Sequence, residues 1–526
     1  MEGMVAGGSG WPARDPLVKG LSNTRVKTAE RPYQPLAFWG VIVLILIVSV
    51  PLHLGSLTTD VSWLITVGEK VLQGERLYVD ILETNPPVPA LLYVPAVVAG
   101  RLFDVSPELA VVIITYLFGL LTLALTGWIL PPQRGRSRRV MLVSAAVVMF
   151  VLSSDAFAQR DFLAALSALP LVAVFIRHAE SGDWPPLTAR VIATILAALA
   201  LAIKPPLFAL PGLLVFLYYL WRTRSLAFVI QSGLLAAGVL AVLITAASLV
   251  WFPDYFGQVW PLIRDVYLPA KSHPLAFLLD VATITVIACN VLVVLLQFGR
   301  EPSPVTVLLL AAATGFFAAY LIQGKWFAYQ VYPAALFIFL ATTNAVHERL
   351  STIDPTAWRY RSIAMVTGLL AVGAIAAFMF VGFRDPRAAL SDLHWARDFE
   401  HPSVMAIAPD SAAVFPLVRQ FGGVWVGRTH SQWVARYTRY MLEHDEVSPT
   451  RRLELISYHN NDLMELLNDL EQKKPDVILV DAAQRYSWFL PELEAMKPKF
   501  LNDYAEITEE GRVRVLARRG QGEASQ

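Results

Sequence analysis

Apolar residues in this chain fall in long runs rather than in strict alternation. Leu36–Leu54 carries no charge, and neither does Ser225–Pro253. Runs of this length match the roughly 20 residues that an α-helix needs to cross a bilayer. Further apolar stretches lie at about 107–130, 140–154, 162–177, 188–203, 206–221, 276–298, 303–321, 331–346 and 362–383. With 36–55 and 226–250 they predict about eleven crossings. Two apolar stretches do not join this set. Residues 61–72 are short, and 88–103 is interrupted by Pro89 and Pro95. Both are read as helices lying along the membrane interface.

Charge fixes the expected orientation. Arg14, Lys19, Arg25, Lys27 and Arg31 precede the first run and place the N-terminal tail in the cytoplasm, because basic residues collect on that side. If 88–103 crossed fully, Arg134, Arg136, Arg138 and Arg139 would face outward, against the same rule. Read as interfacial, it leaves 134–139, 222–224 and 349–361 inside. The outer loops are then about 56–87, 155–161, 251–275 and 322–330. No internal repeat is visible, which argues against a transporter built from duplicated halves.

From about Arg384 the composition becomes that of a soluble domain. Helical patterns at 391–400, 411–421 and 453–473 alternate with β-type runs at 404–408, 424–427 and 476–480. A hairpin is expected at Glu510-Gly511, between 505–508 and 513–517. The expected fold class is an all-α polytopic membrane domain with interfacial helices in its first outer loop, plus a small C-terminal α/β domain. The expected divisions are a cytoplasmic tail (1–35), a transmembrane domain (36–384) and an extracytoplasmic α/β domain (385–526).

Composition narrows the chemistry. Hydrophobic residues make up 56% of the 526, charged residues only 16%, and the net charge is +1. An ordinary soluble protein has about 25% charged residues. Nothing here suits a nucleic acid. The one cysteine, Cys289, sits in an apolar run and reads as packing. The first apolar run is too long for a cleavable signal peptide and is expected to be retained. No P-loop, H-E-x-x-H or G-x-S-x-G pattern occurs, so ATP hydrolysis, zinc proteolysis and serine hydrolysis have no support.

Several ionisable groups lie at span ends on one expected side: Asp60, Asp161, Lys204 and Lys325. Charges at such positions are costly unless they serve a site or reach the interface. The stretch from Thr58 to Ala96 carries Asp60, a helix, Gly74, Tyr78, Asp80 and then Glu83 before Asn85-Pro86-Pro87. Here the chain resembles the GT-C superfamily of membrane glycosyltransferases, such as the protein O-mannosyltransferases and the lipid A aminoarabinose transferases. Asp161 in Ala158–Pro170, Lys204 in Leu201–Leu214, and Lys325, Tyr329 and Pro333 in Gln323–Ala335 extend the resemblance over roughly 36–340. Two positions depart from it: Val61 follows Asp60 where many members have a polar residue, and Thr84 follows Glu83 where the aminoarabinose transferases have Lys.

The resemblance implies transfer of a sugar from a polyprenyl-phosphate carrier to an envelope glycan, lipid or protein on the outer face of a bacterial inner membrane. Asp60, with Asp161 and Glu83 behind it, would supply the catalytic carboxylate that takes the acceptor proton. Arg160, Lys204, Lys325 and Tyr329 would hold the lipid phosphate. Glu83 and Asp161 are also the candidate ligands for Mg²⁺ or Mn²⁺. A single displacement would invert the anomeric centre. The plainer readings are helix capping for Asp60 and Asp161, snorkelling for Lys204 and Lys325, and an aromatic belt for Tyr329, Trp251, Trp260 and Trp326. His273 reads as a loop residue. The competing functions are a flippase for a lipid-linked glycan and a non-catalytic assembly protein. A flippase should carry charge along a path through the membrane, and mid-span charge is nearly absent here.

Overall fold

The computed structural model describes residues 34–519 except 56, 132–134, 354–355, 357 and 385–392. The basic residues of the N-terminal tail and Arg134 lie outside the described residues, as do residues 391–392 of the helix expected at 391–400. The remainder of that stretch holds a 3₁₀ turn, His394–Asp398.

The membrane part begins with α1 (Gln34–His53), α2 (Thr59–Leu72), α3 (Pro87–Ala90), α4 (Val94–Phe103), α5 (Pro107–Ile129) and α6 (Gly135–Phe150). It continues with α7 (Arg160–Ser181), α8 (Leu187–Ile203), α9 (Ala209–Thr223), α10 (Ala227–Gln231), α11 (Leu234–Trp251) and α12 (Trp260–Leu262). It closes with α13 (Val281–Gln297), α14 (Pro304–Gln323), α15 (Ala328–Ser351) and α16 (Trp358–Gly382). Each expected span coincides with one long helix. The short α2, α3 and α4 occupy the two segments read as interfacial. Two details differ. The run 226–250 is broken at Gly233, where φ is +85° and Thr194 packs close against the backbone. The run 88–103 is divided at 91–93 into α3 and α4.

Local sequence explains several helix starts. Ser106 and Ser303 accept from the backbone N–H of Leu109 and Thr306, and each is followed by proline at the first helical position. Both choices satisfy or remove an otherwise orphaned N–H. α15 is enclosed along Gln330–Ala345 and forms the centre of the bundle. By contrast α11 and α16 turn large side chains outward, among them Val242, Leu243, Leu369 and Leu370. An apolar surface of that extent belongs in lipid. Among the described residues five helices are long and apolar enough to cross a membrane, and the protein is an integral membrane protein. Close approach of α9 and α14 needs Gly315, where a Cβ would meet Pro211 Cα at 2.3 Å.

The C-terminal part is a five-stranded sheet with helices: β1 (Ser403–Ile407), β2 (Val424–Trp425), β3 (Val477–Asp481), β4 (Tyr504–Glu510) and β5 (Val513–Arg518), in the order β2-β1-β3-β5-β4. β1 runs parallel to β2 and β3, and β5 is antiparallel to β3 and β4. All the expected strands form. The helices match less well. The pattern at 411–421 yields a 3₁₀ turn at Ser411–Ala413 and a single turn, α17 (Leu417–Gln420). α18 (Trp433–His444) and α20 (Phe489–Met496) were not expected, while α19 (Pro449–Lys473) was.

The sheet domain docks on the bundle through specific polar contacts. Arg419 donates to Glu69 on α2 at 2.6 and 2.9 Å and also to Glu108 on α5. The Leu82 N–H donates to the Arg428 carbonyl at 2.8 Å. Tyr458 on α19 donates to Asp265 at 3.0 Å.

Candidate active site

The chain returns repeatedly to one end of the bundle. Asp60 lies in the first turn of α2, Arg160 and Asp161 open α7, Lys204 follows α8, Lys325 precedes α15, and Tyr329 is its second residue. The basic residues Arg136, Arg138 and Arg139 of α6, Arg222 of α9 and Arg349 of α15 occupy the opposite ends of their helices. The ionisable groups expected to form a site therefore converge, although they are up to 269 positions apart in sequence, counting from Asp60 to Tyr329.

Two ion pairs organise the cluster. Arg160 donates through Nη2 to Asp60 Oδ2 at 2.8 Å. Lys204 donates to both oxygens of Asp161 at 2.7 Å and to Gln323 Oε1 at 3.0 Å. Tyr329 and Phe208 present their rings to the Lys204 ammonium at 5.8 and 5.7 Å. Tyr329, Glu83 and Tyr93 lie within electrostatic range of Arg160.

The pairs differ in what they leave available. Asp161 is fully buried and both its oxygens face Lys204, so it holds that lysine. Asp60 is 31% exposed, and among the described residues nothing donates to its Oδ1. Arg160 is only 6% exposed, yet its Nε and Nη1 have no hydrogen-bond partner. Buried donors are almost always satisfied, so two orphaned N–H groups on one guanidinium mark a place for an acceptor. The planar fork suits phosphate oxygens.

Glu83 is placed otherwise than a free base. It is completely enclosed and accepts from Trp63 Nε1, from the Asn85 side chain and from the Asn85 backbone N–H at 2.8 Å. It ties α2 to the loop before α3. Lys325 is also committed: its ammonium donates to the Tyr267 carbonyl at 2.6 Å and to the Ala270 carbonyl, and stands over the rings of Tyr267 and Tyr437 at 4.3 and 4.8 Å. Burial, with Lys271 and Arg436 adding repulsion, pushes its pKa down to about 8. In this arrangement the oxygens of Glu83 and Asp161 are taken up by different donors. Among the described residues no group of three His, Cys, Asp or Glu is placed to hold a metal ion.

The α/β domain adds residues that sequence reasoning missed. His430 stacks edge-on to Trp63 at 5.5 Å, and Glu83, Asp60 and Arg160 are within its electrostatic reach. Burial lowers its pKa, which favours the neutral ring. Tyr437 and Arg436, from α18, complete the wall around Lys325. No sequence pattern signalled them, because they reach the site only through docking of a domain that begins some 300 positions after Asp60.

The structure superposes on a crystal structure of ArnT from Cupriavidus metallidurans bound to undecaprenyl phosphate, with a TM-score of 0.57 over 94% of this chain and 99% of that one. The chain has the fold of ArnT. The all-α membrane bundle with a small C-terminal α/β domain expected from the sequence is the architecture observed. Identity to ArnT in that superposition is 14%. The apo structure of the same ArnT gives a TM-score of 0.51 at 14% identity, covering 92% of this chain and 97% of ArnT. No protein-family model and no curated protein matches the chain.

Proposed function

We propose that the protein is a membrane glycosyltransferase that takes a sugar from a polyprenyl-phosphate carrier and transfers it to an envelope acceptor. The observation that carries this reading is the buried Arg160 guanidinium, unpaired at Nε and Nη1 and set beside a half-open carboxylate. The ArnT fold, whose solved example binds undecaprenyl phosphate, supports the choice of carrier.

In the proposed reaction an acceptor hydroxyl attacks the anomeric carbon and Asp60 takes its proton. The bond from that carbon to the phosphate oxygen breaks, and the configuration inverts. The carrier changes from a phosphodiester to a phosphomonoester and gains one negative charge. Arg160 meets that charge directly, and Lys204, already fixed by Asp161 and Gln323, adds to the field. Asp161 and Glu83 position their neighbours and do not touch the reacting atoms. The end of the bundle that carries Asp60 and the α/β domain would face the periplasm of a bacterial inner membrane, with the Arg-rich helix ends in the cytoplasm.

The experiment is to present the purified protein in nanodiscs with a panel of polyprenyl-phosphate sugars and a crude envelope extract. Transfer of label into the extract supports the reading. Absence of binding to every lipid-phosphate sugar overturns it in favour of an assembly protein, and binding without transfer overturns it in favour of a flippase.

A further inference from the structure

A cavity of about 290 Å³ opens between the α/β domain and the membrane-domain segment 257–262. It lies along the edge strand β2 and its continuation to Thr429, with α18 and α19 closing the other side. Its lining mixes aromatic rings with hydrogen-bonding groups: Trp425, Trp433, Arg428, Asn461, Asp462 and Glu465. Trp425 is 6% exposed, and its indole N–H has no hydrogen-bond partner. Gly427 also lines the cavity, and a Cβ there would crowd the N–H edge of Trp425, meeting Nε1 at 3.1 Å. No side chain at 427 covers that edge of the ring.

The cavity is a close neighbour of the Asp60 cluster. Leu82, on its wall, precedes Glu83. The Trp433 ring lies 6.0 Å from that of Tyr267, which underlies Lys325. His430, between the lining residues Thr429 and Gln432, meets Trp63 on the far side.

We infer that this cavity binds the non-reacting part of a carbohydrate acceptor, holding a glycan so that one hydroxyl reaches Asp60. The inference rests on the glycosyltransferase reading and adds the acceptor's chemical class to it. The lining is what a polyhydroxylated ring requires. Aromatic faces cover its C–H surface. Carboxylates and the Asn461 carbonyl accept from hydroxyls, while Arg428, the Asn461 amide and the Trp425 indole donate to them. A lipid tail would find too many polar groups here, and a simple anion too many carboxylates. A concave, partly aromatic site with convergent polar groups is the usual form of a small-molecule pocket.

The test uses the full chain in nanodiscs with labelled malto-, manno-, galacto- and arabino-oligosaccharides as probes, read by binding. In parallel, binding of undecaprenyl phosphate is measured. Asn461 and Glu465 are exposed, so Asn461→Ala and Glu465→Gln should fold. Trp425→Phe keeps the ring and removes the donor. At least one probe should bind the wild type with a Kd of about 1 mM or tighter. Asn461→Ala and Trp425→Phe should weaken it by about tenfold, with undecaprenyl phosphate binding unchanged. If no probe binds, or if the cavity variants bind as the wild type does, the inference is overturned. Loss of undecaprenyl phosphate binding with saccharide binding kept would instead count against the glycosyltransferase reading alone.

Discussion

Replacing Arg160 by lysine should weaken binding of a polyprenyl phosphate without unfolding the protein. The arginine sits at the start of α7, nearly enclosed, with one arm on Asp60 and two N–H groups unpaired. Lysine keeps the charge but cannot present a planar fork. The loss is then about one hydrogen bond to a charged group, worth about 1.5–3 kcal/mol, or about 10- to 150-fold in Kd. Arg160→Ala should lose more, because Asp60 is left without its cation. The 31% exposure of Asp60 keeps that added cost below the roughly 3–5 kcal/mol of a fully buried broken pair. The assay is equilibrium binding of undecaprenyl phosphate in nanodiscs, with thermal unfolding of each variant alongside. Wild-type affinity in both variants would show that the unpaired donors are not the phosphate site.

The other pairs give further expectations. Lys204→Met strands the fully buried Asp161 and should cost about 3–5 kcal/mol, seen as a lower Tm in detergent; adding Asp161→Leu should recover much of the loss, and no recovery would contradict the pairing. Arg419→Ala should loosen the α/β domain from α2 and α5 by about 2–3 kcal/mol, between the values for exposed and buried pairs, and limited proteolysis should then cut within residues 394–401 faster. Burial raises the Asp462 carboxyl from 3.8 to about 7. An acid with a raised folded pKa contributes fully below its unfolded pKa and loses that contribution as pH rises through the folded one. Relative to Asp462→Asn, which can still accept from the Ala435 N–H, the wild type should therefore lose stability between about pH 4 and 7, and a constant difference in Tm over that window would refute this.

The helical bundle was legible in the sequence because each span is a continuous apolar run, and lipid demands such runs. Gly233 shows the limit: hydropathy continues across it, and only the positive φ beside Thr194 divides the run into α10 and α11. The strands were legible from short β-type runs, whereas α18 was overlooked although Val434, Thr438 and Met441 recur on one face at helical spacing. At the site, placing charges at span ends on one side was enough to gather Asp60, Arg160, Asp161, Lys204, Lys325 and Tyr329. Their division of labour was not readable. That Asp161 is spent on Lys204, Glu83 on Trp63 and Asn85, and Lys325 on two carbonyls depends on side-chain packing alone. The contribution of His430 and Tyr437 depends on docking between domains, which leaves no local pattern.

In the proposed reaction Asp60 takes the acceptor's proton while Arg160 meets the phosphate. Sugar transfer from a polyprenyl-phosphate donor into an envelope extract, by the wild type and by Asp60→Asn in nanodiscs, probes both roles at once. The wild type should transfer, and the variant should be slower by about 10²- to 10⁴-fold, with undecaprenyl phosphate still bound. Wild-type turnover by a folded Asp60→Asn protein would contradict the assignment.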